Sequence, residues 1–162
     1  MTKKPQHLVS FLALSLFLFF AVASSGVKHM TFTTEQGQLP PEFAGFNDTL
    51  LVIEHPGDWG YDKYLRKNFK NNYHGPYKII DGNKLNEYPV QHYRYFFDNS
   101  SNFATQTTTY QSGATHSFTY ASSDVFMVID RTTNKSYVTQ SSAYYSKLMR
   151  AYIQALDAER NK

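Results

Sequence analysis

Residues 49–54 (TLLVIE) are a continuous apolar run, and this run, together with the residues after it, limits the possible folds more than any other feature. An unalternated run of this length reads as a strand covered on both faces. His55-Pro56-Gly57 breaks it. Over residues 59–72, Tyr61, Tyr64, Leu65 and Phe69 recur at helical spacing, which predicts a helix with one inward aromatic stripe. Asp58 stands where an N-cap carboxylate would accept a free backbone N–H, and Lys67 and Lys70 sit near the end, where positive charge suits the helix dipole. Residues 77–81 (YKIID) form a second strand before an Asp81-Gly82 turn. Strand, helix and strand in this order make a βαβ unit, with parallel strands and a right-handed crossover.

After residue 82 the pattern changes. Residues 83–88 are expected to make one helical turn, stopped by Pro89. Residues 91–98 (QHYRYFFD) alternate as a strand with Tyr93, Tyr95 and Phe97 facing inward. Residues 103–110 and 116–121 form a Thr-rich and aromatic hairpin about a turn at 111–114 that contains Gly113. Residues 125–130 (VFMVID) are a buried strand, and 136–139 pair back on it. A last helix over 143–158 carries Tyr145, Leu148, Met149, Tyr152, Ile153 and Leu156 on one face, with Ser141 or Ser142 as its cap. The fold class is therefore α/β at the border with α+β. It has a βαβ unit followed by antiparallel hairpins, in a mixed open sheet packed against two main helices.

The N-terminal part reads as a targeting signal. Lys3 and Lys4 precede the uncharged stretch 8–23 (LVSFLALSLFLFFAVA), and Ala21-Val22-Ala23 supplies a small-residue exit. These are the three parts of a secretory signal peptide, so 1–23 is expected to be cleaved. The alternative is a short uncleaved anchor in the inner membrane, although sixteen residues fall short of the roughly 20 that span a bilayer core. Residues 24–46, with Pro40-Pro41 and no sustained period, read as a linker, and 47–162 as a single domain. The expected location is periplasmic or extracellular, with membrane contact only through 8–23 if they are retained.

Charge and composition then exclude several classes. The chain carries 16 basic and 13 acidic residues, +3 overall; losing Lys3 and Lys4 with the signal leaves 14 against 13, or +1. That balance argues against nucleic acid as a partner. Cysteine is absent, which removes disulfides, thiolate metal sites, thiol nucleophiles and a lipid-modified cysteine. With 13 Tyr and 13 Phe, the fold must rest on an aromatic core. No GxGxxG, GxxxxGK[ST], HExxH or GxSxG occurs, and the histidines show no ligand-like spacing, so neither a cofactor nor a metal site is expected.

The runs NFKNNYHGPYKIID, NEYPVQHYRYFFD and VFMVIDRTTNKSYV resemble small exported proteins of Bacteroidetes-type bacteria. The resemblance implies an exported setting and this type of fold, and it implies no mechanism.

Three constellations are candidates for function. Glu54, His55 and Asp81 close neighbouring parallel strands, with Asp58 on the following loop, so they share the sheet edge where open α/β folds place ligands. Carboxylates with an imidazole could serve as general acid and base or meet a cation. Each also has a plain structural job, Asp58 as a cap and Asp81 in an Asp-Gly turn. Lys63, Arg66, Lys67 and Lys70 share the outer face of the first helix, with Trp59 at its start, and could meet an anionic head group or polysaccharide. A solvated helix face accounts for the same charges, and a hydrophobic staple for Trp59. Finally, Thr105, Thr107 and Thr109 alternate with Gln106, Thr108 and Tyr110 on a strand polar on both faces, which points to an edge. Exposed Tyr, Trp and Thr would suit stacking on sugars. The function expected is a non-catalytic binding or interaction module of the cell envelope, its partner another envelope protein or a polysaccharide. The alternative is a small hydrolase or metal-assisted enzyme at the Glu54, His55, Asp58, Asp81 edge.

Overall fold

The computed structural model describes residues 30–162, apart from the side chain of Tyr120. The expected signal segment 1–23 and the first part of the expected linker lie outside the described residues. Five strands form one sheet in the order β2-β1-β3-β4-β5. They are β1 (Leu50–Glu54), β2 (Tyr77–Asp81), β3 (Tyr95–Thr109), β4 (Thr115–Asp130) and β5 (Lys135–Val138). The helices are α1 (Trp59–Asn72) and α2 (Tyr145–Arg160), and a 3-10 stretch spans Gly82–Glu87.

The expected strand–helix–strand order with parallel strands holds. β1 pairs with β2 in parallel from Leu50↔Tyr77 to Glu54↔Asp81, and α1 connects them. β1 also pairs in parallel with β3, at Leu51↔Phe96 and Val52↔Phe97. β3–β4 and β4–β5 are antiparallel, so the sheet is mixed and open. The apolar run in β1 has its predicted cause: Leu50 to Ile53 are all buried, because both faces of this strand are covered. On one face, Leu51, Ile53 and Ile80 pack with Leu85, Tyr88 and Tyr93 from the connection between β2 and β3 and with Phe96 of β3. On the other, the rings of Phe97 and Phe126 meet the two helices: Phe69 lies 5.0 Å from Phe97, edge to face, and Tyr145 lies 5.4 Å from Phe126. Edge-to-face contacts suit the aromatic quadrupole and add to the area buried.

Several boundaries differ from the sequence reading. Residues 91–98 do not form a strand from end to end. His92 and Tyr93 donate to the Pro89 carbonyl in a turn, β3 starts at Tyr95, and Tyr93 packs in the layer opposite Tyr95 and Phe97. The four strand segments expected between 91 and 130 are two long strands. The Ser- and Asn-rich stretches that look like breaks stay paired, because each strand supplies the other's hydrogen bonds through Ser100↔Val125 and Asn102↔Ser123. Neither Ser141 nor Ser142 caps α2. Its N-cap is Tyr144, without a side-chain bond, while the Ser142 hydroxyl accepts from Tyr144 N and its backbone pairs with Asp124.

Residues 31–46 are part of the folded unit Thr31–Lys162 and are not a linker. Pro41 opens a 3-10 turn, Pro41–Phe43, a position where a missing N–H and a fixed φ do no harm. That turn buries Phe43 completely, stacked on Phe46 at 4.9 Å and edge-on to Tyr95 at 5.4 Å. Phe32 meets Tyr152 edge-on, and Tyr152 OH lies 2.8 Å from the Gln38 carbonyl. Gly45 N–H donates to the Arg160 carbonyl at 3.0 Å, and Glu42 pairs with Arg94. Four apolar side chains, Phe32, Leu39, Phe43 and Phe46, thereby join the core without any helical or strand period.

Candidate functional site

The parallel register places Glu54 beside Asp81 at the carboxyl ends of β1 and β2. Both line a notch of about 280 Å³ with His55, Asp98, Leu85 and Phe96. Three of the four predicted acid and histidine residues therefore meet in one concavity. Asp58 does not. Its Oδ1 accepts from Tyr61 N at 3.0 Å, the helix cap expected of it.

Within the notch the groups are engaged with neighbours. His55 Nε2 lies 2.7 Å from Asp98 Oδ1, which also accepts from Asn99 N at 2.8 Å. His55 N donates to Asp62 Oδ1, and Tyr61 OH donates to the Ile53 carbonyl at 3.0 Å. Burial pushes the Tyr61 phenol up, and the nearby Asp98 carboxylate adds to that. Glu54 Oε2 accepts from Arg66 Nη2 at 2.5 Å, while its Oε1 is buried without a hydrogen-bond partner. Asp81 Oδ1 accepts from the backbone and side-chain nitrogens of Asn83, at 2.9 and 3.0 Å, as a turn aspartate does. Among the described residues, no group of three or more His, Asp or Glu is placed to hold a metal ion. Asp98 is not among the residues predicted for this edge. Only the non-local β1–β3 pairing brings it there, and nothing in the local pattern announces that pairing.

The basic face of α1 is also partly engaged. Arg66 turns back to Glu54, and Lys63 Nζ lies 4.9 Å from the centre of the Trp59 ring, a cation–π contact. Lys67 and Lys70 are exposed. Trp59 itself is 75% exposed, so it does not serve as a staple.

The third constellation is the most unusual feature of the surface. Past Phe97, β3 has left β1 behind, and past Met127, β4 has left β5, keeping only the bonds of Phe126 with Thr139 and a bridge from Asp124 to Ser142 beyond that strand. The two strands continue alone as a ribbon from residue 99 to a turn at 110–114 and back to 123. In the turn, Gly113 N donates to the Tyr110 carbonyl and Tyr110 N to the Ala114 carbonyl, both at 2.9 Å. Gly113 takes φ 83°, a left-handed conformation that a side chain would strain. Residues 103–109 alone extend about 23 Å at the usual strand rise. Thr105–Thr119, Thr107–Ser117 and Thr109–Thr115 share side-chain hydrogen bonds across one face, at 2.9, 2.9 and 3.3 Å. Phe103 is 69% exposed, Tyr110 55% and Phe118 54%. Residues 99–123 contain no Asp, Glu, Lys or Arg.

Such an arm contradicts the usual protection of sheet edges. Exposed edge strands are normally short, charged, interrupted by proline or covered. This arm is long, uncharged and free of proline, and among the described residues no strand lies beyond either edge of it. The sequence marks 103–110 as an edge. It does not mark the length of the ribbon, because the Ser and Asn residues at 99–102 and 122–123 read as loop. Among the described residues no helix is long and apolar enough to cross a membrane.

No family model matches the chain, and no curated protein matches it. Among solved structures, the PelC dodecamer of Paraburkholderia phytofirmans is similar, in two crystal forms. A single-residue variant in space group C2 is 14% identical with a TM-score of 0.39, covering 69% of this chain and 89% of that one. The form in space group P6 is also 14% identical, with a TM-score of 0.38, covering 70% and 89%.

Proposed function

We propose that this chain is an exported, non-catalytic interaction module of the cell envelope, and that the β3–β4 arm is the element that meets its partner. The observation that carries this reading is the arm: a two-stranded ribbon, uncharged over residues 99–123, with no strand beyond either edge among the described residues. Isolated two-stranded ribbons are marginal in water, so one this long gains from a partner strand that completes its hydrogen bonding. The notch supports the non-catalytic side of the reading. Glu54, Asp58 and Asp81 are each bonded to a structural neighbour, and His55 is turned to Asp98. The export signal read at 1–23 supplies the setting.

A photo-crosslinking amino acid in place of Thr107 tests the reading in cells that make the full chain, with Lys84 as the control position. Irradiation is expected to give discrete adducts in the envelope fraction from position 107 and none from 84. A chain that reaches the envelope and yields no adduct from the arm overturns the proposal.

A further inference from the structure

We infer that the arm's partner is a second copy of this chain, paired antiparallel along the outer edge of β3 to give a four-stranded sheet about a two-fold axis. This deepens the reading of the arm as the interaction element and rests on it.

The direction of the backbone groups is set by the turn. Tyr110 directs both its N–H and its C=O toward the returning strand. Alternation by two then turns the N–H and C=O groups of Thr109, Thr107, Thr105 and Phe103 away from β4. The hydroxyl pairs agree, since side chains approach most closely at non-hydrogen-bonded positions of an antiparallel pair. β3 thus presents a regular row of open donors and acceptors.

The two edges of the arm are not equivalent. Asn102 pairs with Ser123 and Phe103 with Ala121, so Ser122 is an extra residue that forms a bulge on β4, and its hydroxyl bonds the Asn102 carbonyl at 3.1 Å. A bulge twists its strand and discourages pairing along that edge. β3 has no such interruption through the arm.

Charge and sequence select the occupant. A partner strand carrying charge would have to bring it against an uncharged ribbon with no counter-ion to offer, so the fitting partner is itself neutral, Thr-rich and strand-forming. The arm has these properties, while both signs of charge are spread over the rest of the described chain. A strand placed antiparallel to its own copy closes on two-fold symmetry and leaves no further β3 edge open. It would also continue the threonine ladder across the new pair and cover Phe103.

The absence of native cysteine gives a direct test. Single cysteine substitutions at each position from 103 to 109 in the full chain are oxidised mildly, with Lys84→Cys as control. Opposed Cβ atoms in a strand pair lie within about 4.5–5.5 Å, close to disulfide reach. Disulfide-linked dimers are expected at one or two adjacent positions near the axis, falling away on either side, and not at 84. In sedimentation, Thr107→Pro, which removes an outward N–H, is expected to weaken the dimer about tenfold or more through two lost hydrogen bonds. Gln106→Lys, which keeps the backbone intact and sets like charges near each other, should do the same. Ser117→Pro, on the outer edge of β4, should leave it unchanged, and at a concentration where the parent and the variants are monomeric the unfolding transition of all three should match the parent. A monomeric parent, or a dimer indifferent to Thr107→Pro and Gln106→Lys, overturns self-pairing. If the chain is monomeric while the probe at 107 labels a different envelope protein, self-pairing falls and the arm's role stands. If it is monomeric and labels nothing, both fall.

Discussion

The hydroxyl of Tyr152 lies 2.8 Å from the carbonyl oxygen of Gln38, joining the last helix to a residue 114 positions earlier in the chain. The same hydroxyl lies 2.8 Å from the Tyr137 carbonyl in β5, so one buried side chain ties helix, sheet and N-terminal segment together. Tyr152→Phe keeps the ring and its contact with Phe32 but leaves both carbonyls without this donor. Loss of a buried donor of this kind is expected to lower unfolding stability by about 1–3 kcal/mol. A urea titration of both chains checks this, and an unchanged midpoint would show that water replaces the hydroxyl.

Phe43 tests whether the segment before β1 belongs to the core. It is fully buried between Phe46 and Tyr95. Phe43→Ala should cost about 3–5 kcal/mol, the usual range for a large ring removed from a packed site. Glu42→Ala, at the exposed end of the pair with Arg94, should cost no more than about 1 kcal/mol. Comparable small losses from both would place 31–46 outside the cooperative unit.

Asp130 predicts how stability depends on acid. It is buried beneath Arg94, whose Nη2 donates to Oδ2 at 2.7 Å, and its Oδ1 accepts from Thr132 N and from the Thr132 hydroxyl. Burial alone would raise this carboxyl. The hydrogen bonds outweigh burial and hold it well below the usual carboxylate range. In the unfolded chain an aspartate titrates near about 3.9. The folded value is the depressed one, so the stability Asp130 contributes is fully present above pH ~4 and is lost as pH falls from there toward the folded value. Asp157, also lowered against burial by bonds from His74, acts in the same direction. The urea midpoint should therefore fall below about pH 4, and Asp130→Asn should lower it at pH 7 while flattening its acid slope. A variant with the parent's acid slope would contradict this.

His55 and Asp98 distinguish a structural notch from a reactive one. His55 is partly exposed, so the pair with Asp98 is screened, and His55→Ala should change stability by no more than about 1 kcal/mol. It should also leave cross-linking at position 107 intact. A large loss of cross-linking with unchanged folding would make the notch part of the partner-binding surface.

Legibility in the sequence divides along physical lines. α1 over 59–72 and β2 over 77–81 are legible at their observed bounds, because Asp58, the aromatic stripe and Asp81-Gly82 are all local signals. The parallel pairing of β1 and β2 comes from chain connectivity. The burial of Phe32, Leu39, Phe43 and Phe46 is not legible, since these side chains fill gaps between elements made elsewhere and obey no period of their own. Asp98 is invisible as a partner of His55 for a related reason: forty-three residues separate them, and only the β1–β3 register brings them together. The threonines at 105–109 are recognisable as an edge, yet their reach depends on pairings across 99–102 that polar composition conceals.

The bond from Gly45 to the Arg160 carbonyl, with that from Tyr152 to Gln38, also governs when the protein can fold. Residues 31–46, made before the sheet, have their seat on α2, made after it. Until α2 arrives, Phe32 lacks the ring it packs against and Gln38 lacks its donor. Closure of this part of the structure therefore waits for α2. In a polypeptide built in this order, residues 31–46 stay unpacked while the sheet is being made and lock into place only when α2 follows.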